Sequence, residues 1–163
     1  PGDRVLTRDS GAQAIRWVGQ ATLRAEGSLA PVLIRAGALN NEHDLLVGPS
    51  HRLFVYQRAD EIGAGAAELL VTARDLVNGA TVTVQDGGFA DYFQILFDSH
   101  HLIYAEGIAA ESLLVDPLTE PALPGALRRT TAHGRRGSHG VEVSRSLLDR
   151  PDAVDALKRA SLR

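Results

Sequence analysis

Thr81-Val82-Thr83-Val84-Gln85-Asp86-Gly87-Gly88-Phe89-Ala90-Asp91-Tyr92-Phe93-Gln94-Ile95-Leu96-Phe97-Asp98-Ser99-His100-His101-Leu102-Ile103-Tyr104 is the stretch that decides the fold class. Thr81 to Val84 are four consecutive strand formers, and Asp86-Gly87-Gly88 is a turn composition that stops them. Phe93, Ile95 and Phe97 then recur every second residue, the period of a strand and not of a helix. Asp98-Ser99 interrupts this run before a further apolar triplet, Leu102-Ile103-Tyr104.

The same grammar extends towards the N-terminus. Val5-Leu6-Thr7 ends at Asp9-Ser10-Gly11, and Ile15 and Trp17 stand two apart, able to share one face of a strand. Val32-Leu33-Ile34 and Leu45-Leu46-Val47 are bounded by Pro31, Gly37, Gly48 and Pro49. Leu53-Phe54-Val55-Tyr56 and Leu69-Leu70-Val71 complete a series of about nine short strands, as in an all-β sandwich or compact barrel-like fold. Ala64 to Leu70 and Ala73 to Val77 could also form helical turns, too short to change the class.

The texture changes after Val115. Pro117, Pro121 and Pro124 fall close together, and residues 128–140 hold four arginines and three glycines with no apolar side chain larger than alanine. Such a segment buries too little to offset its ordering entropy. The expected organisation is a β domain over residues 1–115, a flexible linker over 116–145 and a short helical tail over 146–163. Pro151 suits the first turn of that helix, and Val154 and Leu157 lie three apart on one face.

Composition narrows the function. The 163 residues are 44% hydrophobic and 23% charged, ordinary globular usage for one domain. A net charge of −3 is no footprint of a nucleic-acid binder. No apolar run approaches about 18 residues, so no membrane-spanning helix is expected. Cysteine is absent, which removes disulfides, zinc–thiolate sites and a thiol nucleophile from these residues. Methionine is absent too, and Pro1-Gly2-Asp3-Arg4 has no signal-peptide organisation, so a piece of a longer protein is expected.

No Walker loop, G-x-G-x-x-G or H-E-x-x-H motif occurs, and no cofactor or metal is expected. His100 and His101 are neighbours on an expected strand, point to opposite faces and cannot serve one metal together. Gly48-Pro49-Ser50-His51-Arg52 is a tight turn that delivers His51 to the start of a strand. There His51 is either a general acid or base, or a half-buried histidine hydrogen-bonded to backbone. A Ser–His–Asp hydrolase built on Ser50 or Ser99 is disfavoured. Ser50 and His51 are adjacent, and no G-x-S-x-G elbow appears.

Four segments in order carry a family resemblance. Pro1-Gly2-Asp3-Arg4-Val5-Leu6-Thr7 resembles the opening motif of Hint domains, the hedgehog/intein autoprocessing fold. Gly48-Pro49-Ser50-His51-Arg52-Leu53 resembles the family's histidine-bearing second motif, and residues 70–79 the segment that follows it. Residues 95–108 are similar to the C-terminal motif pair, and the match is nearest to bacterial Hint domains of large secreted proteins.

The resemblance implies a compact all-β domain that cleaves its own flanking polypeptide. A Cys or Ser attacks the carbonyl of the residue before it, and a histidine protonates the departing nitrogen. His51 matches that histidine and His101 the later one, while Asp98 could orient either and Ser50 could supply a nearby hydroxyl. Core packing beside Ile103 is the alternative for His101. The resemblance also implies a secreted or extracellular setting.

The departures are specific. The nucleophile belongs some twenty residues before Pro1, and Gly48 stands where the family usually carries a hydroxyl. Glu111-Ser112 replaces the His-Asn pair needed for splicing. Cleavage at the N-terminal junction is the activity left, with these residues silent alone. A non-catalytic β-rich binding or display module is the alternative. His43 is expected to be solvated, and His133 and His139 belong to the tail.

Overall fold

A computed structural model describes residues 1–115, 119–128 and 139–161. These residues form an all-β fold with short helical turns and one longer helix near the C-terminus. The strands are β1 (Arg4–Thr7), β2 (Gly11–Ala14), β3 (Trp17–Arg24), β4 (Val32–Ile34), β5 (Leu45–Val47) and β6 (Arg52–Tyr56). They continue with β7 (Glu68–Thr72), β8 (Val82–Val84), β9 (Phe89–Leu96), β10 (Leu102–Ala105), β11 (Ile108–Glu111) and β12 (Val141–Glu142). The α-helical segments among the described residues are α1 (Gly125–Arg128), which precedes β12, and α2 (Arg145–Leu148) and α3 (Ala153–Ser161), which follow it. None of the described helices is long and apolar enough to cross a membrane.

Seven strands make the main sheet in the order β12-β7-β6-β11-β10-β1-β2, with a three-stranded sheet β5-β4-β8 and a ribbon β3-β9. At the sheet's centre, Leu53 faces Val71 and Val55 faces Leu69, and all four enter the large core. Phe54 and Leu70 point the other way into a second cluster with Leu102 and Ala109. Burial on both faces explains why Leu53-Phe54-Val55 is an unbroken apolar run and not an alternating one.

Three strands lay beyond the nine expected. β2 is glycine and alanine with one glutamine, and no propensity signals it. It forms as the return of a hairpin whose turn Thr7 holds, its Oγ1 donating to the Gly11 carbonyl at 2.7 Å and accepting from the Ser10 N–H. β11 is alanine-rich but wholly buried between β10 and β6, so tertiary packing overrides its weak preference. β12 adds in parallel to β7.

The alternating run around Phe93 does form a strand, but its apolar face meets the core only at its base. Leu96 and Phe97 are fully buried, whereas Phe93 and Phe89 are 60% and 72% exposed. β9 has β3 alone as its sheet neighbour, from Trp17↔Leu96 to Arg24↔Phe89, so the face of the outer ribbon that carries Phe89 and Phe93 stays exposed. Ile15 and Trp17 do share a side and are half-buried, with Ile15 just outside β3.

The segment read as a linker is a different matter. Residues 116–118 and 129–138 lie outside the described residues. Where it is described, residues 141–143 join the sheet, and the Val143 N–H donates to the Leu70 carbonyl at 2.9 Å. Val143, Leu148, Val154 and Leu157 all enter the main core. The expectation rested on residues 128–140, whose polarity says nothing about the apolar positions that follow them.

Gly140 makes that approach feasible. Its φ is +130°, and a Cβ would lie 2.8 Å from the Glu68 carbonyl oxygen. Gly140→Ala is therefore expected to destabilise by about 1–3 kcal/mol through strain alone. Urea unfolding checks this, and an unchanged midpoint would show that β12 contributes nothing.

Candidate functional site

The turn before β6 is fixed from three directions. The His51 N–H donates to the Gly48 carbonyl at 3.0 Å, the Ala73 N–H to the His51 carbonyl at 2.9 Å, and the Arg74 N–H to the Pro49 carbonyl at 3.0 Å. β6 therefore begins at a set height against β7 and its following turn, and the His51 side chain emerges where β6 meets β11.

The Nε2 of His51 is enclosed and has no hydrogen-bond partner among the described residues. Burial lowers the pKa of this imidazole below its ordinary 6.5, the Glu111 backbone opposes that shift, and the neighbouring Arg52 charge reinforces it.

That depression sets a sign. The unfolded chain binds the proton more readily than the folded one, so the stability contributed by a neutral ring is complete above about pH 6.5 and is lost as pH falls through the lower folded value. Urea midpoints measured between about pH 5 and pH 8 are expected to decline towards acid more steeply in wild type than in His51→Gln. Equal slopes would refute the assignment.

A set of charged and polar groups lies where β6 and β11 meet, with Arg52 and Glu111 at its centre. Arg52 Nε donates to Glu111 Oε2 at 2.6 Å, with the two side chains 13% and 8% exposed. The other Glu111 oxygen lies 3.8 Å from His100 Nε2, and Arg52 Nη1 lies 3.8 Å from Glu142. The His139 ring packs on that of His100, centroids 4.9 Å apart, with Nδ1 3.5 Å from Asp9. One residue beyond Glu111, the Ser112 N–H donates to the His101 carbonyl at 2.9 Å. The His101 N–H donates back to Ser112 Oγ at 3.0 Å.

The residues singled out from sequence divide accordingly. His51 is half-buried, with its Nε2 enclosed and without a partner among the described residues. His101 is buried, tied through Ser112 to the end of β11, and its ring meets Phe97 edge-on at 5.6 Å. Ser50 is exposed, so the turn does not aim its hydroxyl inwards. Asp98 is also exposed, and the adjacent Arg16 charge takes it at 2.9 Å in place of a histidine. His43 is exposed and bonds Glu106 at 2.8 Å. His133 lies outside the described residues.

The cluster that brings Arg52, Glu111 and His139 close together was not foreseen. Arg52 and Glu111 meet because β6 and β11 pair in a register that places them opposite, and nothing local to either residue announces that. His139 arrives on a segment whose own composition signals no structure. No group of three His, Asp or Glu side chains among the described residues could hold a metal ion.

A family model described as the Hint domain matches residues 1–117. No curated protein and no solved structure matches the chain. The matched span includes the opening motif, the His51 turn, both histidines before β10 and the Glu111-Ser112 end of β11, and it covers well over half of the sequence. The chain belongs to the Hint domain family.

Proposed function

We propose that this domain cleaves its own polypeptide at a junction upstream of Pro1, with His51 as the proton carrier. A Cys or Ser side chain attacks the carbonyl carbon of the residue before it, and its S–H or O–H proton passes to His51 Nε2. The C–N bond breaks, the same proton moves from Nε2 to the departing nitrogen, and a thioester or ester remains. Water or another nucleophile then opens that linkage.

The observation that carries this reading is the enclosed Nε2 with no partner among the described residues. Buried polar atoms in native proteins are almost always satisfied, and an exception calls for a function. The depressed pKa keeps the ring neutral and able to accept a proton, and makes the imidazolium, once formed, a readier donor. Ser112 stands where splicing needs an asparagine, and its hydroxyl already accepts the His101 N–H, which favours cleavage over splicing.

On this reading the nucleophile precedes Pro1, residues 1–163 alone are silent, the substrate is the flanking polypeptide and the parent is a secreted protein. Hydroxylamine treatment of a protein extended upstream of Pro1 tests it, because hydroxylamine traps thioesters and esters. Release of the upstream piece is expected. If hydroxylamine releases nothing, the reading fails and the domain is a binding or display module, which the missing hydroxyl at Gly48 also favours.

A further inference from the structure

We propose that Leu148 of α2 is a positioning residue for His51, because it backs the helical turn Ala73–Leu76 whose first two N–H groups hold the turn that carries the imidazole. The proposal rests on the reading of His51 as proton carrier, and it gives the tail beyond the family span a part in the reaction.

The donors supply the reason. The start of any helical turn leaves N–H groups without an internal acceptor. Here the Ala73 N–H goes to the His51 carbonyl at 2.9 Å and the Arg74 N–H to the Pro49 carbonyl at 3.0 Å. The place of the His51 turn therefore follows the place of Ala73–Leu76. Four residues make too few bonds of their own to persist as a helical turn, so this one is held from outside.

Two contacts hold it. Beyond its far end, Asn78 Oδ1 accepts the N–H groups of Ala80, Thr81 and Val82, which ties the exit of the turn to the start of β8. On its inner side Ala73 and Leu76 are buried in the same core as Leu148 and Val154. α2 packs on the turn, and Leu76, Val77 and Asn78 share one groove with Leu148 and Val154. The bonds at Asn78 belong to the chain next to the turn, whereas the inner contact comes from about 70 residues away and is lost if the tail lifts. The Ala73 and Arg74 donors then lose their fixed height, and the carbonyls of Pro49 and His51 move with them.

The test uses residues 1–163 as they are and needs no cleavage. Amide exchange followed by NMR reads the Ala73 and Arg74 N–H groups one by one. In folded Leu148→Ala both are expected to exchange at least roughly tenfold faster than in Ile34→Ala, a truncation of the same core placed on β4. The His51 titration midpoint is expected to rise towards 6.5 in Leu148→Ala as the ring loses its enclosure, and to stay in place in Ile34→Ala. A merely structural leucine would quicken exchange in both variants alike and leave the midpoint where it was.

Equal exchange of the two amides in the two variants overturns the proposal. An unmoved midpoint beside faster exchange also overturns it, since the turn then shifts without the imidazole. Where Leu148→Ala does not fold, wild type in low urea decides. The Ala73 and Arg74 amides are expected to open together with the Ala156 amide of α3, ahead of those that pair β6 with β7. Opening only with the β6–β7 amides overturns it. In an upstream-extended protein the Leu148→Ala cleavage rate is expected to fall on the order of tenfold, and a parental rate overturns the positioning role. Absence of hydroxylamine release from the wild-type extended protein overturns the reaction and leaves the exchange result standing.

Discussion

His51→Ala, introduced into a protein extended upstream of Pro1, is expected to slow release of the upstream piece by roughly a hundredfold or more, about 2.7 kcal/mol of barrier. The size follows from what the ring does at both ends of the step. Without it, the nucleophile has no neighbouring base and the departing nitrogen no donor. The fold should survive, because the backbone bonds to Gly48 and from Ala73 use no side-chain atom of residue 51. Removing the ring also removes an unsatisfied buried nitrogen, which offsets part of the packing lost. First-order cleavage followed by gel, beside a urea melt of the same variant, separates the two effects. A folded variant that cleaves at the parental rate would end the role assigned to His51.

Leu157→Ala is expected to give the largest loss of stability of any single substitution in the tail. Leu157 is fully buried in α3 and shares a core with Leu53 and Val55 of β6 and Leu69 and Val71 of β7. Truncation of such a leucine typically costs 2–5 kcal/mol, roughly the transfer of its methyls plus the cavity left behind. For a chain of this length that corresponds to a melting temperature lower by roughly 4–20 °C. Leu6→Ala is the control: Leu6 is 63% exposed, and its truncation should stay within about 0.5 kcal/mol.

The prediction bears on what the domain is. The family match ends at residue 117, yet Val143, α2 and α3 lie beyond it and add to the main core, and β12 adds an edge to the main sheet. α3 buries Ala153, Val154, Ala156, Leu157 and Ala160 along one side, and nine residues of helix are too few to be stable without that docking. A negligible effect of Leu157→Ala would mean that the tail is only loosely applied, and that the family span folds without it.

The strands that were legible are those whose side chains declare a period or a propensity, such as Thr81 to Val84 and Phe93 to Phe97. β2 and β11 were not, because glycine and alanine become strand only when neighbours supply the hydrogen bonds and the burial. The His51 turn was readable from Gly48-Pro49, since those residues restrict the backbone wherever they occur. The fates of Ser50 and Asp98 were not, because adjacency in sequence fixes neither the direction of a turn residue nor the nearest opposite charge, here Arg16.

Sequence alone determined that this chain is all-β, that a histidine leaves a proline-containing turn at the head of a strand, and that four motifs stand in Hint order. Each of these is written in local composition and spacing. Which charged groups come together on the adjoining strands was decided by the fold. Arg52 and Glu111 are 59 residues apart and meet only through the β6–β11 register, and His139 comes from beyond the family span. The physical reason is range. Propensity and periodicity act within a few residues, whereas burial, desolvation and strand pairing act between segments that are neighbours only once the chain has closed on itself.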